Sequence, residues 1–508
     1  MPDHSFTALS RRTFLAAGGG WLGASVFADA AALRRGKTIS IFHTTDLHGH
    51  ILPTENYNGL GDLGGFARCA TQIRRWKKEF PDSLLVDIGD VYQGTPASLQ
   101  TGGKLMIELF NRLGYDAWVL GNHDFDWGRG TIEAALALSK PGVLTGNLTI
   151  DGKPAGGAGG VWDKVRPWSV REVGGFRIGL IGLITPGLPG WLSPATLGGV
   201  AATDPIESLR RGMAEIQAEK PDAIVVLGHM GFRFQDDFAN PLRELLQAVE
   251  GVDVYLAGHS HQDQPSWMNG KVLCSQASYH GIHCGRIDLT FDTESRKLLE
   301  RRAFTVLMDS RFELDPLVIE LAGPELAKAD EQMKRKVCTV ARAVEGGGRN
   351  SGVSKLFCEA FAAALGKAGS PVDGVFHGTF GKEDIPAGDL TVADCWKLLP
   401  YENVLISAEL SARELLEIVT DDRGNRTLWP FELKRFESGE VKSFQFKGEP
   451  VDETRRYRIA FNSYDGQSGG RTLPLLHEIL QRPESKRAET GVATREALID
   501  FLLEKGEI

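Results

Sequence analysis

Five short segments place metal-competent side chains at intervals along this 508-residue chain. They are Asp46-Leu47-His48, Gly89-Asp90, Gly121-Asn122-His123-Asp124, Gly228-His229 and Gly258-His259-Ser260-His261. Imidazole nitrogens mixed with carboxylate oxygens suit Mn, Zn, Fe or Co better than Mg or Ca. Any one of these residues alone reads as a satisfied polar group at a strand end. The recurrence is what carries the chemistry: five of the chain's 12 histidines (His48, His123, His229, His259, His261) fall in these segments. Of the others, His43 reads as core, and His280 and His283 as outer partners of the cluster. His4 lies in a leader, and His50, His377 and His477 carry no assigned role.

Each segment follows an apolar run of strand type. The runs are Thr38–Phe42, Ser83–Ile88, Ala117–Leu120, Ala223–Leu227 and Val252–Ala257, rich in β-branched and apolar residues. Amphipathic helices fall between them. Phe66–Lys78 sets Phe66, Cys69, Ala70 and Ile73 on one face, and Met106–Leu113 stops at Gly114. Asp204-Pro205 opens a third helix as cap and first-turn proline, with Ile206, Leu209, Met213 and Ile216 inward. Alternating strands and helices predict parallel pairing in a layered α/β domain. Strand ends in such sheets line the ligand crevice, so the five segments are expected to converge. Glycine before four of them would let the backbone turn and approach closely.

Composition agrees with an enzyme-sized globular protein. The chain is 24% charged and 42% hydrophobic, with net charge −9, and its length suggests two or three domains of roughly 150 residues. Mild acidity argues against a partner such as a nucleic acid polymer. No apolar run approaches the ~20 residues that span a bilayer. Six cysteines show no CxxC spacing, which disfavours a thiolate zinc site and suits free buried thiols. Ser10-Arg11-Arg12-Thr13-Phe14-Leu15, a Gly/Ala-rich stretch and Ala28-Asp29-Ala30 resemble a twin-arginine export signal. Residues 1–30 are therefore set aside as a leader that engages twin-arginine export machinery, and the mature chain is expected to be periplasmic or secreted.

The ordered segments resemble the calcineurin-like metallophosphoesterase superfamily over roughly Lys37 to Asp309, and within it the 5′-nucleotidase family with its bacterial periplasmic members. Thr44-Thr45-Asp46-Leu47-His48-Gly49-His50, Gly61-Asp62-Leu63-Gly64-Gly65-Phe66-Ala67-Arg68 and Asn122-His123-Asp124-Phe125-Asp126 carry the likeness. The resemblance implies two divalent metal ions. One would be held by Asp46, His48, Asp90 and His261, the other by the shared Asp90 with Asn122, His229 and His259. Such a pair clamps the oxygens of an in-line displacement and lowers the pKa of an attacking water. His123 would then stabilise the transition state or protonate the leaving group, with Asp126 fixing its tautomer.

Domains are expected at 31–315 (dimetal phosphoesterase), 316–345 (a charge-rich linker helix) and 346–508 (a smaller α/β or α+β substrate-binding domain). The last resembles the 5′-nucleotidase C-terminal domain through Ile385-Pro386-Ala387-Gly388-Asp389-Leu390-Thr391, Leu399-Pro400-Tyr401-Glu402-Asn403 and Asn462-Ser463-Tyr464. Tyr464 and Trp429 are the expected faces of a base clamp. Lys382 stands where that family shows Arg, and meets a phosphate only as a point charge. Arg349 is a further substrate arginine. Arg471-Thr472 follow Gly469-Gly470 where the family shows Asp-Gly, which bears on the ribose contact. The expected substrate is a small phosphate ester, foremost a nucleotide. Nucleotide-sugar and cyclic-nucleotide hydrolysis share such a site. So does the thiosulfohydrolase of sulfur oxidation, which acts on a carrier protein and shows Gln where this chain has His50. A periplasmic binding protein is the non-enzymatic alternative, but it has no use for ligands on five strand ends.

Overall fold

The computed structural model describes residues 35–508; the leader expected at 1–30, with His4, lies outside the described residues. In chain order the main strands of the first half are β1 (Gly36–Thr44), β2 (Ser83–Asp87), β3 (Ala117–Trp118), β4 (Gly142–Leu144), β5 (Val165–Arg166), β6 (Trp168–Val173) and β7 (Phe176–Ile184). After these come β8 (Ala223–His229), β9 (Val254–Ala257), β10 (Asp263–Asn269), β11 (Val272–Ala277), β12 (His283–Asp292) and β13 (Leu298–Leu307). They form a seven-stranded sheet, ordered β13-β12-β1-β2-β3-β4-β5, and a six-stranded sheet, ordered β10-β11-β9-β8-β7-β6. Parallel pairing holds at both centres, for example β1 with β2 and β8 with β9. Antiparallel pairs flank them, as in β1 with β12 and β6 with β7, while the β4–β5 edge stays parallel.

The two sheets face each other. Ile39, Ile41, Val86 and Val119 of one meet Ile178, Leu180, Val225 and Leu256 of the other in a shared apolar layer. Helices cover the outer faces: α1 (Phe66–Glu79), α2 (Lys104–Leu113) and α3 (Arg129–Leu138) lie on the first sheet, and α4 (Pro205–Gln217) and α5 (Leu242–Ala248) on the second. Central strands are thus buried on both faces, which is why they read as continuous apolar runs. The Asp204 side chain accepts from Ile206 N–H at the start of α4, and α2 ends at Gly114 in the left-handed region.

The five ligand-bearing strands belong to two sheets, whereas the alternation in sequence predicts one crevice at one sheet. β7, missing from the sequence reading, pairs with β8 and supplies the continuity of the second sheet.

The segment expected to be helical over 316–345 is corrected. A helix α6 runs Pro316–Met333, capped by Asp315, and Lys336–Val340 then forms strand β14. This helix is not a solvated connector, because Val318 and Ala322 sink into the first-half core. Beyond it come α7 (Gly352–Lys367), β15 (Gly374–His377), β16 (Gly388–Thr391), α8 (Val392–Leu398), β17 (Val404–Ser411) and α9 (Ala412–Asp421). They are followed by β18 (Thr427–Trp429), β19 (Arg456–Asn462), α10 (Pro474–Gln481), β20 (Ala488–Ala493) and α11 (Thr494–Lys505). The central sheet is ordered β18-β15-β19-β17-β20, with α7 and α11 packed on one face and α9 and α10 on the other. The whole is a mixed α/β fold, with separate cores in its two halves. All six cysteines are unpaired and buried. No helix among the described residues is long and apolar enough to cross a membrane.

Candidate active site

The strand ends deliver their side chains to one place. β1 runs out just before Asp46, β2 before Asp90 and β3 before Asn122; β8 ends on His229, and β9 leads into His259 and His261. Backbone bonds tie the loops together: Asp46 N–H donates to Gly89 C=O and His48 N–H to Asp90 C=O, both at 2.9 Å. Asp46, His48, Asp90, His259 and His261 all have positive φ, between 49° and 69°. Non-glycine residues in that region each cost on the order of 1–3 kcal/mol, a cost that clusters at functional sites.

The expected division of labour at the glycines is therefore partly reversed. Of the four preceding glycines only Gly89 is left-handed; after Gly258 the ligand His259 makes the turn itself, and neither Asn122 nor His229 is left-handed. Gly121 serves close approach, since a Cβ there would lie 2.1 Å from Asp90 Oδ1.

Two groups of ligand atoms result, Asp46 with His48, Asp90 and His261, and Asp90 with His229 and His259. Asp90 belongs to both. His48 Nε2 and His261 Nε2 face each other at 3.0 Å, and His261 Nε2 lies 3.3 Å from Asp46 Oδ1. His229 Nε2 is 3.1 Å from Asp90 Oδ2 and 3.2 Å from Asn122 Oδ1. The outer ring nitrogens have their own partners: His229 Nδ1 meets Ile88 C=O at 2.6 Å, His48 Nδ1 the Gln93 C=O at 3.0 Å, and His261 Nδ1 the Tyr57 hydroxyl at 2.8 Å. Such contacts fix the tautomer that leaves Nε2 as a ligand.

These residues fit divalent cations. Asp90 Oδ2 is buried and makes no hydrogen bond, although two imidazoles stand beside it. A buried carboxylate oxygen without a donor is costly unless a charge meets it. Burial would raise the Asp90 carboxyl, but His229 and His123 outweigh it and hold it well below the usual carboxylate range. His229 is pushed up to about 9, Asp90 overcoming the effect of burial, whereas burial drives His259 down to about 3.

Beside the cluster, His123 Nδ1 meets Asp126 Oδ2 at 2.7 Å, and His123 N–H donates to Asp90 Oδ1 at 2.8 Å. Burial opposes a charged imidazole here, yet Asp126 and Asp90 raise His123 well above its ordinary value. Asp124, to which the sequence reading gave no role, accepts from the N–H groups of Asp90, Val91 and Gly121. It holds the Asp90 turn against the Gly121 turn.

A cavity of about 640 Å³ opens at Asn122, His123 and His259 and runs between the two halves of the chain. Tyr464 lines it. Trp429 does not: in β18 it pairs with Val375 and packs on the C-terminal core, so it cannot form a clamp face. Lys382 is also absent from the lining and exposed. Arg349 spends its guanidinium on the carbonyls of Val419 and Asp422 and on the Asp422 carboxylate, and so holds a turn. Aromatic residues that the sequence reading missed stand there instead: Trp191, Phe380 and Tyr401. Tyr401 lies nearly parallel to the His123 ring at 6.0 Å. Trp191 sits 5.2 Å from the His259 ring. Of the expected outer partners, His280 reaches the cluster through its N–H to Asp46 C=O and stacks on His50, while His283 turns away to Asp263.

Residues 39–263 match the calcineurin-like phosphoesterase family model and residues 337–478 the 5′-nucleotidase C-terminal domain model. The chain is 32% identical over 229 residues to the 5′-nucleotidase of Rattus norvegicus, covering 44% of this chain and 38% of the relative. It is 24% identical over 563 residues to the "Probable 5'-nucleotidase" of Treponema pallidum (strain Nichols), with 91% of each covered. A solved 5′-nucleotidase precursor from Thermus thermophilus superposes with a TM-score of 0.69 at 25% identity, covering 93% of this chain and 97% of that one. The chain spans only 38% to 55% of the length of the first curated relatives it matches. Taken with the two layered halves and the shared carboxylate, these matches mean that the chain carries a calcineurin-like phosphoesterase domain at 39–263 and a 5′-nucleotidase C-terminal domain at 337–478.

Proposed function

We propose that this protein is a two-cation phosphoesterase that hydrolyses nucleoside monophosphates, with the phosphoryl group at the Asp90 cluster and the nucleoside in the seam cavity. The observation that carries it is Asp90, whose buried, donor-free Oδ2 is shared by two ligand groups. Asp46, His48, Asp90 and His261 would hold one ion, and Asp90, Asn122, His229 and His259 the other. When bound, such a pair neutralises phosphoryl oxygens and activates a water for in-line attack.

The chain's own residues do the rest. Asp126 holds the His123 Nδ1 proton, leaving Nε2 as the free end of a ring that lines the cavity. Asp126 and Asp90 raise that ring well above its ordinary value, which favours the protonated form that can donate to the departing oxygen. Tyr464, Trp191, Phe380 and Tyr401 offer π-faces to a base. Arg426, the cavity's cation from the second half, is neutralised between Asp422 and Asp465. An uncharged aromatic leaving group suits that end better than a second phosphate, which favours monophosphates over nucleotide-sugars.

The finer reading of location rests on the twin-arginine-like leader and puts the mature protein in the periplasm or outside the cell. We also divide the chain functionally near residue 335, where α6 gives way to β14. The test is metal analysis of the purified chain, followed by product analysis with added Mn: inorganic phosphate from nucleoside monophosphates, monophosphate products from ADP-ribose and cyclic nucleotides, and sulfate from a thiosulfonate. Two divalent ions per chain and a clear preference for monophosphates are expected. A chain that takes no metal, or releases no phosphate from nucleoside monophosphates, overturns the reading.

A further inference from the structure

The two halves of the chain touch at a point directly behind a metal ligand. Gln93, at the end of the loop that carries Asp90, is buried. Its Oε1 lies 3.2 Å from His48 Nδ1, and its Nε2 donates to Glu402 Oε2, in the second half, at 2.7 Å. An amide has two unlike ends, one that accepts and one that donates. An ionised carboxylate only accepts, so Glu402 dictates which end of Gln93 it meets. The oxygen must therefore turn to His48, where the Gln93 backbone C=O already waits at 3.0 Å. Two acceptors then converge on Nδ1, the proton stays there, and Nε2 keeps its lone pair toward Asp90 and His261.

Glu402 does not wander. Its Oε1 accepts from Arg495 Nη1 at 2.8 Å. Arg495 is 1% exposed, donates through Nε to Leu399 C=O at 2.8 Å, and lies 3.6 Å over the Trp396 ring. The neighbouring Thr494 donates through both N–H and hydroxyl to Asn403 C=O. The turn from 399 to 403 is thus pinned to the start of α11 on both sides of Glu402. If Glu402 served Arg495 alone, its second oxygen would have no reason to cross the seam.

We propose that Glu402 is a positioning residue for the metal cluster, acting from the C-terminal half through Gln93 on His48. The proposal rests on the two-cation reading above. Losing such an outer contact typically costs ~10–100-fold in metal affinity.

The experiment titrates the full-length chain, freed of metal, with zinc against a competing chelator, in wild type, Glu402→Gln, Gln93→Leu and the double variant. Thermal midpoints and turnover at saturating zinc are measured alongside. Each single variant is expected to weaken one of the two zinc sites ~10–100-fold, with turnover largely restored by excess zinc. The double variant should be no worse than the worse single. Gln93→Leu leaves the Glu402–Arg495 pair intact, so it decides alone if Glu402→Gln fails to fold. Wild-type zinc affinity in Gln93→Leu, or losses that multiply in the double variant, overturns the proposal. A wild type that takes up no zinc overturns instead the two-cation reading beneath it.

Discussion

His123 and Asp126 behave as a unit because one nitrogen of the imidazole is committed and the other is not. His123→Ala should lower kcat by ~10²–10⁴-fold while metal content per chain stays at the wild-type value. Full turnover in that variant would remove the role. Two other histidines, His43 and His377, make a separate statement about stability. Burial lowers His43 to about 3 and His377 to about 4. The unfolded chain binds these protons near pH 6.5 and the folded chain does not, so stability falls as pH drops from about 6.5 toward 4. Each unit is worth about 1.4 kcal/mol, which makes His377 responsible for about 3 kcal/mol over that window. Urea midpoints of wild type and His377→Phe between pH 7 and 4.5 check this. The variant should show the shallower slope, and parallel curves would contradict it.

Among elements, the loops after β1, β2 and β3 carry the most constraint, and Gly121 shows where it is spent. A Cβ at Gly121 would fall 2.1 Å from Asp90 Oδ1 and 2.4 Å from Asp90 N. Gly121→Ala should therefore displace the shared carboxylate, destabilise the fold by about 1–3 kcal/mol and purify with little bound metal. Retained metal at wild-type stoichiometry would show that the turn can yield. The same loops explain what sequence could and could not disclose. Asp46, His48, Asp90, Asn122, His229, His259 and His261 were legible because residue type, order and position after apolar runs are all local. The left-handed backbone of Asp46, His48, Asp90, His259 and His261 was not, because it follows from loops that hydrogen-bond to each other across strands. β7 is hidden for a similar reason: its glycines, Gly179 and Gly182, mimic a loop, and they are glycine because Ile216 and Leu144 leave no room there for a Cβ.

At the scale of the whole molecule, the cavity exists only because two separately cored halves meet. Nothing near Trp191 in sequence marks it as a partner for Tyr464, yet both lie against Gly470, whose N–H bonds to Gly190 C=O across the seam. Trp429 is the expected opposing face of a base clamp, but its register against Val375 packs it on the C-terminal core. Local spacing carries no information about which loops a docked domain brings together. Trp191→Ala should accordingly raise KM for a nucleoside monophosphate ~5–150-fold, at ~1–3 kcal/mol for a stacked base, with little change for a small alkyl phosphate. Trp429→Ala should instead lower thermal stability and leave KM alone.

Walls drawn from two bodies can also govern how fast a product leaves. Arg471 over Phe238 and the Gly190–Gly470 hydrogen bond tie the two walls of the cavity to each other, and a product that leaves by parting them would wait on both. Turnover at saturation would then track that breathing and slow in proportion to the friction of the surrounding solvent, as a stiff hinge does in glycerol.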